Sequence, residues 1–173
     1  MRTMSVPKRE LVKLAAIVTV GCAASLAWAD ARQDCFRLTG EAAIRACSEA
    51  IAKNPADAVS YINRAFEYVQ KGGYDSAMGD YSKAISLDPN RWDAFQGRAW
   101  ANLKIGKAAN ALLDVQRALQ LKPDAAQAFD ARAHVYEVLG RRDDAIADFR
   151  RALEIEPRLQ GSREGLKRLG AAP

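Results

Sequence analysis

Apolar residues along most of the chain recur at the spacing of an α-helix. Tyr61, Ala65 and Tyr68 fall on one helical face, and a second apolar face of the same period follows after a break at Gly72. A glycine just past a helix end can adopt the left-handed backbone that closes the last turn. Pro89 ends the second stretch, because proline lacks an amide donor and restricts the residue before it. No stretch alternates between polar and apolar residues as a half-buried strand does, so the pattern predicts helical hairpins and an all-α chain.

The hairpin pattern recurs with a period of 34 residues, over 58–91, 92–125 and 126–159. The columns that repeat are Ala65, Ala99 and Ala133; Gly72, Gly106 and Gly140; Ala77, Ala111 and Ala145; Ala84, Ala118 and Ala152; and Pro89, Pro123 and Pro157. A fixed period of this length is typical of stacked hairpins, each of which buries its apolar face against its neighbours. The sequence therefore predicts a helical-hairpin repeat solenoid rather than a globule with a catalytic cleft.

The repeated columns resemble the tetratricopeptide repeat family over residues 58–157. The further columns that carry the resemblance are an aromatic residue (Tyr61, Phe95, Phe129), a tyrosine (Tyr68, Tyr136) and a second aromatic residue (Tyr81, Phe149). Asn102 stands in the tyrosine column and Val115 in the second aromatic column, so we expect the middle repeat to pack more loosely. The resemblance implies a superhelical stack that binds another protein.

Charged columns recur with the same period. Each arginine precedes an aspartate by 16 positions, in the pairs Arg64–Asp80, Arg98–Asp114 and Arg132–Asp148. The arginines fill a column where leucine is commoner in the family, and a charge at a semi-buried position is costly unless it is paired. Because the arginine fork can hold a carboxylate bidentately, we interpret these columns as structural ion pairs between first and second helices. Anion binding by the arginines is the alternative.

Residues 1–29 have the pattern of a secretory signal peptide. A basic start precedes an apolar stretch that is short for a membrane span, and a small-x-small site follows, with cleavage expected after Ala29. We therefore expect a periplasmic or secreted protein. The alternatives are an uncleaved anchor and a lipoprotein acylated at Cys22, although Thr19 replaces the leucine that is usual at a lipidation site.

The segments that flank the repeats are expected to cap them. Residues 30–57 have the pattern of a degenerate hairpin, in which a disulfide between Cys35 and Cys47 would contribute roughly 3 kcal/mol. Metal binding by these two cysteines is disfavoured, because structural zinc needs four ligands. Residues 160–173 are expected to form a capping helix and tail, with Leu166 on the stack and a basic side in water. A membrane-surface role for that basic side is the alternative.

Charge and residue types exclude several classes of function. The chain has 26 Lys+Arg and 21 Asp+Glu, of which residues 1–29 hold four and one, so the remainder carries only about +2. Nucleic acid requires a basic stripe, which this balance does not provide. His134 is the single histidine, the glycines are turn residues, and no nucleophile stands beside a base. We therefore expect neither catalysis nor a metal or cofactor.

The resemblance places binding on the concave face, which the first helices of the family line. The inward positions correspond here to Val59, Ile62, Phe66, Val69, Asp93, Gln96, Trp100, Leu103, Gln127, Asp130, His134 and Glu137. This predicts a groove with an apolar end and a polar to acidic end, in which Phe66 and Trp100 anchor a ligand that has a basic flank. The alternative is that the N-terminal hairpin covers Ile62 and Phe66 and the row only packs on itself.

Some family members hold a peptide's terminal carboxylate on this face with lysine, arginine and asparagine side chains. The corresponding residues here are Ile62, Phe66, Gly97, Gln127 and Ala131. None of them is basic, which is evidence against a carboxylate clamp of that type.

These observations together predict an exported bacterial adaptor of the cell envelope that binds a segment of another protein. A lipid-anchored assembly factor of an envelope machine and a structural oligomer are the alternatives. Nucleic acid is not expected as a partner, and neither is a membrane unless Cys22 is lipidated. The identity of the partner protein is not encoded in a recognisable motif.

Overall fold

The computed structural model describes residues 28–172, and every regular element in that range is an α-helix. Residues 28–37 belong to the first helix, α1. The others are α2 (Gly40–Lys53), α3 (Ala58–Gln70), α4 (Tyr74–Leu87), α5 (Trp92–Lys104), α6 (Ala108–Leu121), α7 (Ala126–Val138), α8 (Arg142–Ile155) and α9 (Gln160–Arg168). The prediction of an all-α chain of helical hairpins is confirmed. The expected signal peptide, except for its last two residues, and Cys22 lie outside the described residues.

Successive helices pack as antiparallel pairs, and the pairs stack in chain order. The first helices α3, α5, α7 and α9 also contact one another in succession, whereas α4, α6 and α8 do not contact one another. The first helices therefore form the tighter, inner row of the solenoid, and the second helices form the outer row. Among the described helices, none is both long enough and apolar enough to cross a bilayer.

Glycine closes the turn inside each repeat. Gly72, Gly106 and Gly140 have φ angles of 76°, 77° and 72°, a region that a side chain rarely adopts. In the first of these turns the Gly73 amide donates to the Tyr68 carbonyl at 2.8 Å, which is the long hydrogen bond of a Schellman helix end. The repeated glycine column thus sets where each first helix ends.

Aromatic rings of the outer row pack against glycines of the inner row. A β-carbon on Gly97 would lie 2.3 Å from the ring of Tyr81, and one on Gly165 would lie 2.3 Å from the ring of Phe149. Since real β-carbons never approach this closely, each ring occupies the space that a side chain would need. The ring and the glycine belong to consecutive repeats, so this contact fixes how one hairpin sits on the next.

The middle repeat achieves the same close packing with residues of different size. Val115 stands in the ring column and Ala131 in the glycine column, and both are fully buried in one cluster. Asn102, which replaces the column's tyrosine, is 7% exposed and donates to the Asp114 carboxylate at 3.2 Å. The expectation of looser packing in this repeat is therefore wrong, because the smaller residues are matched to each other.

The repeated arginines and aspartates form a ladder between first and second helices. In each pair Nε and Nη2 of the arginine donate to the two carboxylate oxygens, at 2.7 and 2.8 Å for Arg64–Asp80, 2.9 and 2.7 Å for Arg98–Asp114, and 2.6 and 2.8 Å for Arg132–Asp148. Nη1 of Arg64 and of Arg98 also donates to Ser48 and Ser82 of the preceding second helix. The guanidinium carbons lie 5.4–5.7 Å from the centroids of aromatic rings on their own helices. All three arginines thus have a carboxylate and an aromatic ring as structural partners, and Arg64 and Arg98 have a serine as well.

Different contacts hold the two terminal caps. At the N-terminal end a disulfide joins Cys35 to Cys47, with the α-carbons 4.5 Å apart. The Gly40 amide also donates to the Glu67 carboxylate of α3 at 2.7 Å. At the C-terminal end, Leu166 and Ser162 of α9 are fully buried against the last repeat.

The outer side of α9 is polar at the positions where the first helices of the repeats are apolar. Counted by the repeat period, Arg163 stands in the first aromatic column and Lys167 in the alanine column. Both are exposed. A polar outer side of this kind keeps the end of a solenoid in water.

Candidate functional site

Four side chains follow one another along the inner row. Phe66, Trp100, His134 and Arg168 occupy the same position of α3, α5, α7 and α9. The ring centroids of Trp100 and His134 are 5.0 Å apart, and Nη2 of Arg168 lies 3.3 Å from Nδ1 of His134. Phe66 is 53% exposed. We call these four residues the concave line; Phe66 and Arg168 at its two ends are exposed, and the side chain of His134 is only 17% exposed.

A cavity of about 540 Å³ opens beside the N-terminal half of the concave line. Apolar side chains of Phe66, Val69 and Trp100 line it, together with the amide side chains of Gln70, Gln96 and Gln127. The mixture of apolar surface with a few polar groups is typical of a site that binds a ligand. We call this space the groove cavity.

The groove cavity lies where a glycine exposes the ring of the outer row. Tyr81 and Gly97 both line it. Because Gly97 has no side chain, the Tyr81 ring reaches past the α5 backbone and its outer end sits where a β-carbon would be. At the next repeat boundary, Ala131 fills the equivalent position and is buried. The cavity therefore lies at the boundary where the inner-row residue is Gly97 and the ring of Tyr81 reaches the cavity surface.

The Tyr81 hydroxyl is a neutral hydrogen-bonding group of this cavity. Burial raises the pKa of Tyr81, and the nearby negative charges of Asp93 and Asp80 raise it further. The hydroxyl therefore keeps its proton at neutral pH. It can donate one hydrogen bond and accept others.

Lys104 lies between the groove cavity and a second hollow. It lines both, and the second hollow, of about 570 Å³, also includes Leu103 and Val138. The Lys104 ammonium lies 5.3 Å from the centroid of the Trp100 ring, which is within cation–π distance. Val138 is 61% exposed. The second hollow extends the apolar surface beyond Trp100.

The C-terminal half of the concave line is satisfied by contacts inside the chain. Ser162 donates to the Asp130 carboxylate at 2.6 Å. Arg168 donates to Glu137 at 2.7 Å, and His134 Nδ1 lies 3.0 Å from the same carboxylate. The His134 ring also packs edge-on against Phe149, at 5.0 Å between centroids. His134 is thus a packing residue in a network of charges.

Burial dominates the electrostatics of Asp130. It is 7% exposed, and desolvation raises the pKa of its carboxyl above the ordinary value of 3.8. The hydrogen bond from Ser162 and the charges of His134 and Arg168 oppose this rise, while Glu137 adds to it. A carboxylate in this position is poorly placed to attract a ligand from water.

The expectation of an open acidic end is therefore wrong. Asp130 is buried beneath α9, and Glu137 is paired with Arg168. Asp93 accepts two hydrogen bonds from Arg91, at 2.9 and 2.6 Å. Each predicted acid has a hydrogen-bond partner within the chain, so a basic ligand would meet carboxylates that are already bonded.

The apolar end corresponds in part to the sequence prediction. Ile62 is 9% exposed and packs in a cluster with Ile51 of α2, so it belongs to the core. Phe66 remains half exposed although α1 and α2 lie beside it. The alternative that the N-terminal hairpin covers both residues is correct for Ile62 and wrong for Phe66.

Half of the residues that line the groove cavity lie outside the four inward positions of each repeat: Gln70, Tyr74, Tyr81, Gly97, Lys104 and Leu159. Tyr74 and Tyr81 belong to α4, and Lys104 is one position beyond the last inward position of α5. The sequence contained a signal for Tyr81, because Gly97 of the next repeat has no side chain at the place where the Tyr81 ring packs. Nothing in the periodic pattern distinguishes Lys104 from other lysines at helix ends.

The described residues offer no evident catalytic chemistry. Within residues 28–172, no group of three or more His, Cys, Asp or Glu side chains is placed to hold a metal ion. His134 is held between Glu137 and Arg168, and no nucleophilic side chain is bonded to it. The groove cavity, the second hollow and the exposed ring of Phe66 adjoin one another along the concave line.

Solved structures similar to this chain are stacks of the same kind of helical hairpin. The second tetratricopeptide domain of human RPAP3, in complex with the HSP70 peptide SGPTIEEVD, is 28% identical, with a TM-score of 0.60 over 66% of this chain and 96% of that one. The first such domain of Spaghetti (RPAP3), bound to the HSP90 peptide SRMEEVD, is 26% identical, with a TM-score of 0.61 over 65% and 90%. A tetratricopeptide protein of Thermus thermophilus has a TM-score of 0.69 at 23% identity over 75% and 72%, which shows the fold alone.

Comparison of the sequence identifies the repeats directly. Residues 58–91 and 126–159 each match a family model described as a tetratricopeptide repeat. No curated protein matches the chain by sequence. The two matched ranges contain the hairpins α3–α4 and α7–α8, which are the first and third of the 34-residue repeats. The hairpin between them, α5–α6, follows the same period. Residues 58–91 and 126–159 are thus similar in sequence to tetratricopeptide repeats, and the described residues share the fold of solved tetratricopeptide domains.

Proposed function

We propose that this protein is a non-enzymatic adaptor that holds an extended segment of a partner protein in the groove cavity. The observation that carries the proposal is the half-exposed ring of Phe66 at the mouth of a cavity lined by Trp100 and Tyr81. Exposed apolar surface costs free energy in water, and aromatic residues in such clefts are frequent anchors of protein interfaces. The glutamine side chains around the cavity provide donors and acceptors for the backbone of a bound segment.

The related domains support a peptide ligand but not their own mode of recognition. Two of them are complexes with peptides that end in EEVD. At the positions where the family's terminal-carboxylate clamp places basic and amide side chains, this chain has Ile62, Phe66, Gly97, Gln127 and Ala131. Ile62, Gly97 and Ala131 are buried, and none of the set is basic. The proposed ligand is therefore held by apolar contact rather than by a terminal-carboxylate clamp.

The proposal places the adaptor in the bacterial cell envelope, after export. The disulfide between Cys35 and Cys47 supports an oxidising compartment, since such bonds are rare where thiols are kept reduced. The signal-peptide pattern of residues 1–29 supports secretory export as the route to that compartment. Intact mass of the protein recovered from the envelope decides between the candidates: loss of residues 1–29 supports a free adaptor, and an acylated Cys22 supports a lipid-anchored assembly factor.

Removing the apolar anchors tests the binding function. Phe66→Ala and Trp100→Ala should each reduce capture of the partner from an envelope extract by ~2 kcal/mol or more, about thirtyfold. Leu113→Ala is the matched control, because Leu113 is 67% exposed but lies on α6 of the outer row. Thermal melting of every variant should be recorded beside the binding measurement.

The outcomes separate an anchor from a core residue. If Trp100→Ala lowers the melting temperature strongly, its contact with His134 is structural, and the exposed Phe66 then decides the question. Normal capture by the Phe66→Ala variant, or equal loss with Leu113→Ala, contradicts the proposal.

A further inference from the structure

The charges that line the groove cavity are not balanced in the way that the sequence pattern indicates. The acidic side chains of the concave face are satisfied by Arg91, Ser162 and Arg168 of this chain. A basic ligand group would therefore have to displace an existing partner. Displacing a short bidentate ion pair gains little, because one charge-assisted interaction only replaces another.

Lys104 is the contrasting case. Among the residues described, no carboxylate oxygen lies within ion-pair distance of its ammonium group, and its one specific contact is with the face of the Trp100 ring. It is the last residue of α5, where the terminal carbonyls of the helix favour a cation. It also lines both the groove cavity and the second hollow. Lys104 is thus a cation without a carboxylate partner among the described residues, at the junction of the groove cavity and the second hollow, whose own charges, Glu137 and Arg168, are paired with each other.

We propose that the segment bound in the groove cavity is acidic: an apolar side chain enters between Phe66 and Trp100, and a neighbouring side-chain carboxylate pairs with Lys104. This inference rests on the proposed function and names the chemistry of its partner. The pair would form beside Trp100 and Leu103 at the solvent-exposed ammonium of Lys104, so a modest and salt-dependent contribution is expected. The ligand is an acidic–apolar segment of another protein, in contrast to the basic flank that the sequence pattern indicates.

The neutral side chains around the cavity are consistent with this ligand. Gln70, Gln96 and Gln127 line it together with the protonated hydroxyl of Tyr81. Each can both donate and accept hydrogen bonds, so the backbone of an extended segment can be satisfied in either chain direction. The other charged lining residue, Asp130, is buried and accepts a hydrogen bond from Ser162, so Lys104 is the exposed charge that selects the ligand in this cavity.

A library of random short peptides displayed against the full exported chain tests the inference. Selected sequences should combine an aromatic or large aliphatic residue with a nearby Glu or Asp. Two synthetic peptides, a selected one and its Glu→Lys counterpart, are then compared by fluorescence anisotropy. The acidic peptide should bind roughly fivefold more tightly, and the difference should decrease as salt is added.

Variants at two nearby lysines assign the effect. Lys104→Met should remove the preference for the acidic peptide but leave binding that depends on Phe66. Lys107→Met is the matched control, since Lys107 is exposed in the turn after α5 and lines neither space; it should behave like the unchanged protein.

Each result has a distinct meaning. Selection of basic peptides, or an acidic preference that survives in Lys104→Met, overturns the inference while the proposed function stands. Peptides that bind without any charge preference do the same. If no peptide binds in a way that Phe66→Ala weakens, the proposed groove itself is wrong and the inference fails with it.

Discussion

The two ends of the helical stack are closed by different means. The N-terminal cap is tied covalently, through the bond between Cys35 and Cys47, and its helix α1 leaves Phe36 50% exposed. The C-terminal cap is a single helix held without a covalent bond, by the fully buried Leu166 and by polar contacts. A cap that buries little apolar surface gains little from the hydrophobic effect, and a cross-link compensates by restricting the unfolded chain.

This difference determines which half of the concave face is open. The C-terminal cap extends into that face, because Ser162 and Arg168 bind Asp130 and Glu137 there. The N-terminal cap does not cover Phe66 in this way, and Phe66 stays half exposed beside the groove cavity. The acidic half of the row is thus used for stability, and the apolar half is left for a partner.

Of the changes that test this comparison, removal of the disulfide is expected to have the largest effect on the free energy of unfolding. The two cysteines are 12 positions apart, and the chain-entropy estimate for closing a loop of this size is about 3 kcal/mol. Replacing both with Ala should lower the free energy of unfolding by about that amount, measured by urea denaturation. Melting of the N-terminal cap should expose more of α3, including the Phe66 face.

Reductant supplies the control for this change. Dithiothreitol should destabilise the unchanged protein to the level of the double Ala variant and should leave that variant unaltered. A titration that finds free thiols at Cys35 and Cys47 in the unreduced protein would contradict the bond, and equal stability of both proteins would contradict its role as the N-terminal fastening.

Most of the fold follows from the periodic columns. Turn glycines, closing prolines and the matched arginines and aspartates are each dictated by local backbone conformation or by pairing within one hairpin, so their spacing is visible in the sequence. The size match of Val115 with Ala131 was not anticipated, because it joins columns of consecutive repeats. Compared only with the aromatic residues of its own column, Val115 suggested looser packing of the middle repeat.

The candidate site was predictable only where it depends on helix direction. The inward positions include Phe66 and Trp100, and both line the groove cavity. The burial of Asp130 depends on α9, whose Ser162 lies one repeat further along the chain. Whether an inward carboxylate meets water or another helix is decided by the cap, which the repeat pattern does not describe.

A smaller effect compares the two glycines that face aromatic rings. Gly165→Ala should lower the free energy of unfolding by roughly 1–3 kcal/mol, because the Phe149 ring is fully buried and cannot move away from the added methyl group. Gly97→Ala should cost less, because the clashing end of the Tyr81 ring lines the groove cavity and can turn into it. Urea denaturation of the two variants measures the difference.

Ligand binding gives the opposite order for these two variants. A Tyr81 ring turned into the groove cavity would occupy the space of the ligand's apolar side chain, so Gly97→Ala should weaken peptide binding while Gly165→Ala leaves it unchanged. Equal stability losses in the two variants would show that the N-terminal half of the concave face is packed as tightly as the C-terminal half, and the comparison would not hold.

The smallest expected effect is the pH dependence that Asp130 gives to the C-terminal end. Burial raises the pKa of its carboxyl above 3.8, so the folded protein holds this proton at a pH where the unfolded chain has lost it. The stabilising contribution is therefore complete below about pH 4 and is lost as the pH rises through the folded value.

Relative to Asp130→Asn, which cannot ionise, the unchanged protein should lose unfolding free energy over that window. Ser162→Ala should deepen the loss, because the Ser162 hydrogen bond stabilises the charged form. A gain in relative stability with rising pH would mean that Arg168 and His134 outweigh burial, and that the C-terminal half still attracts charge.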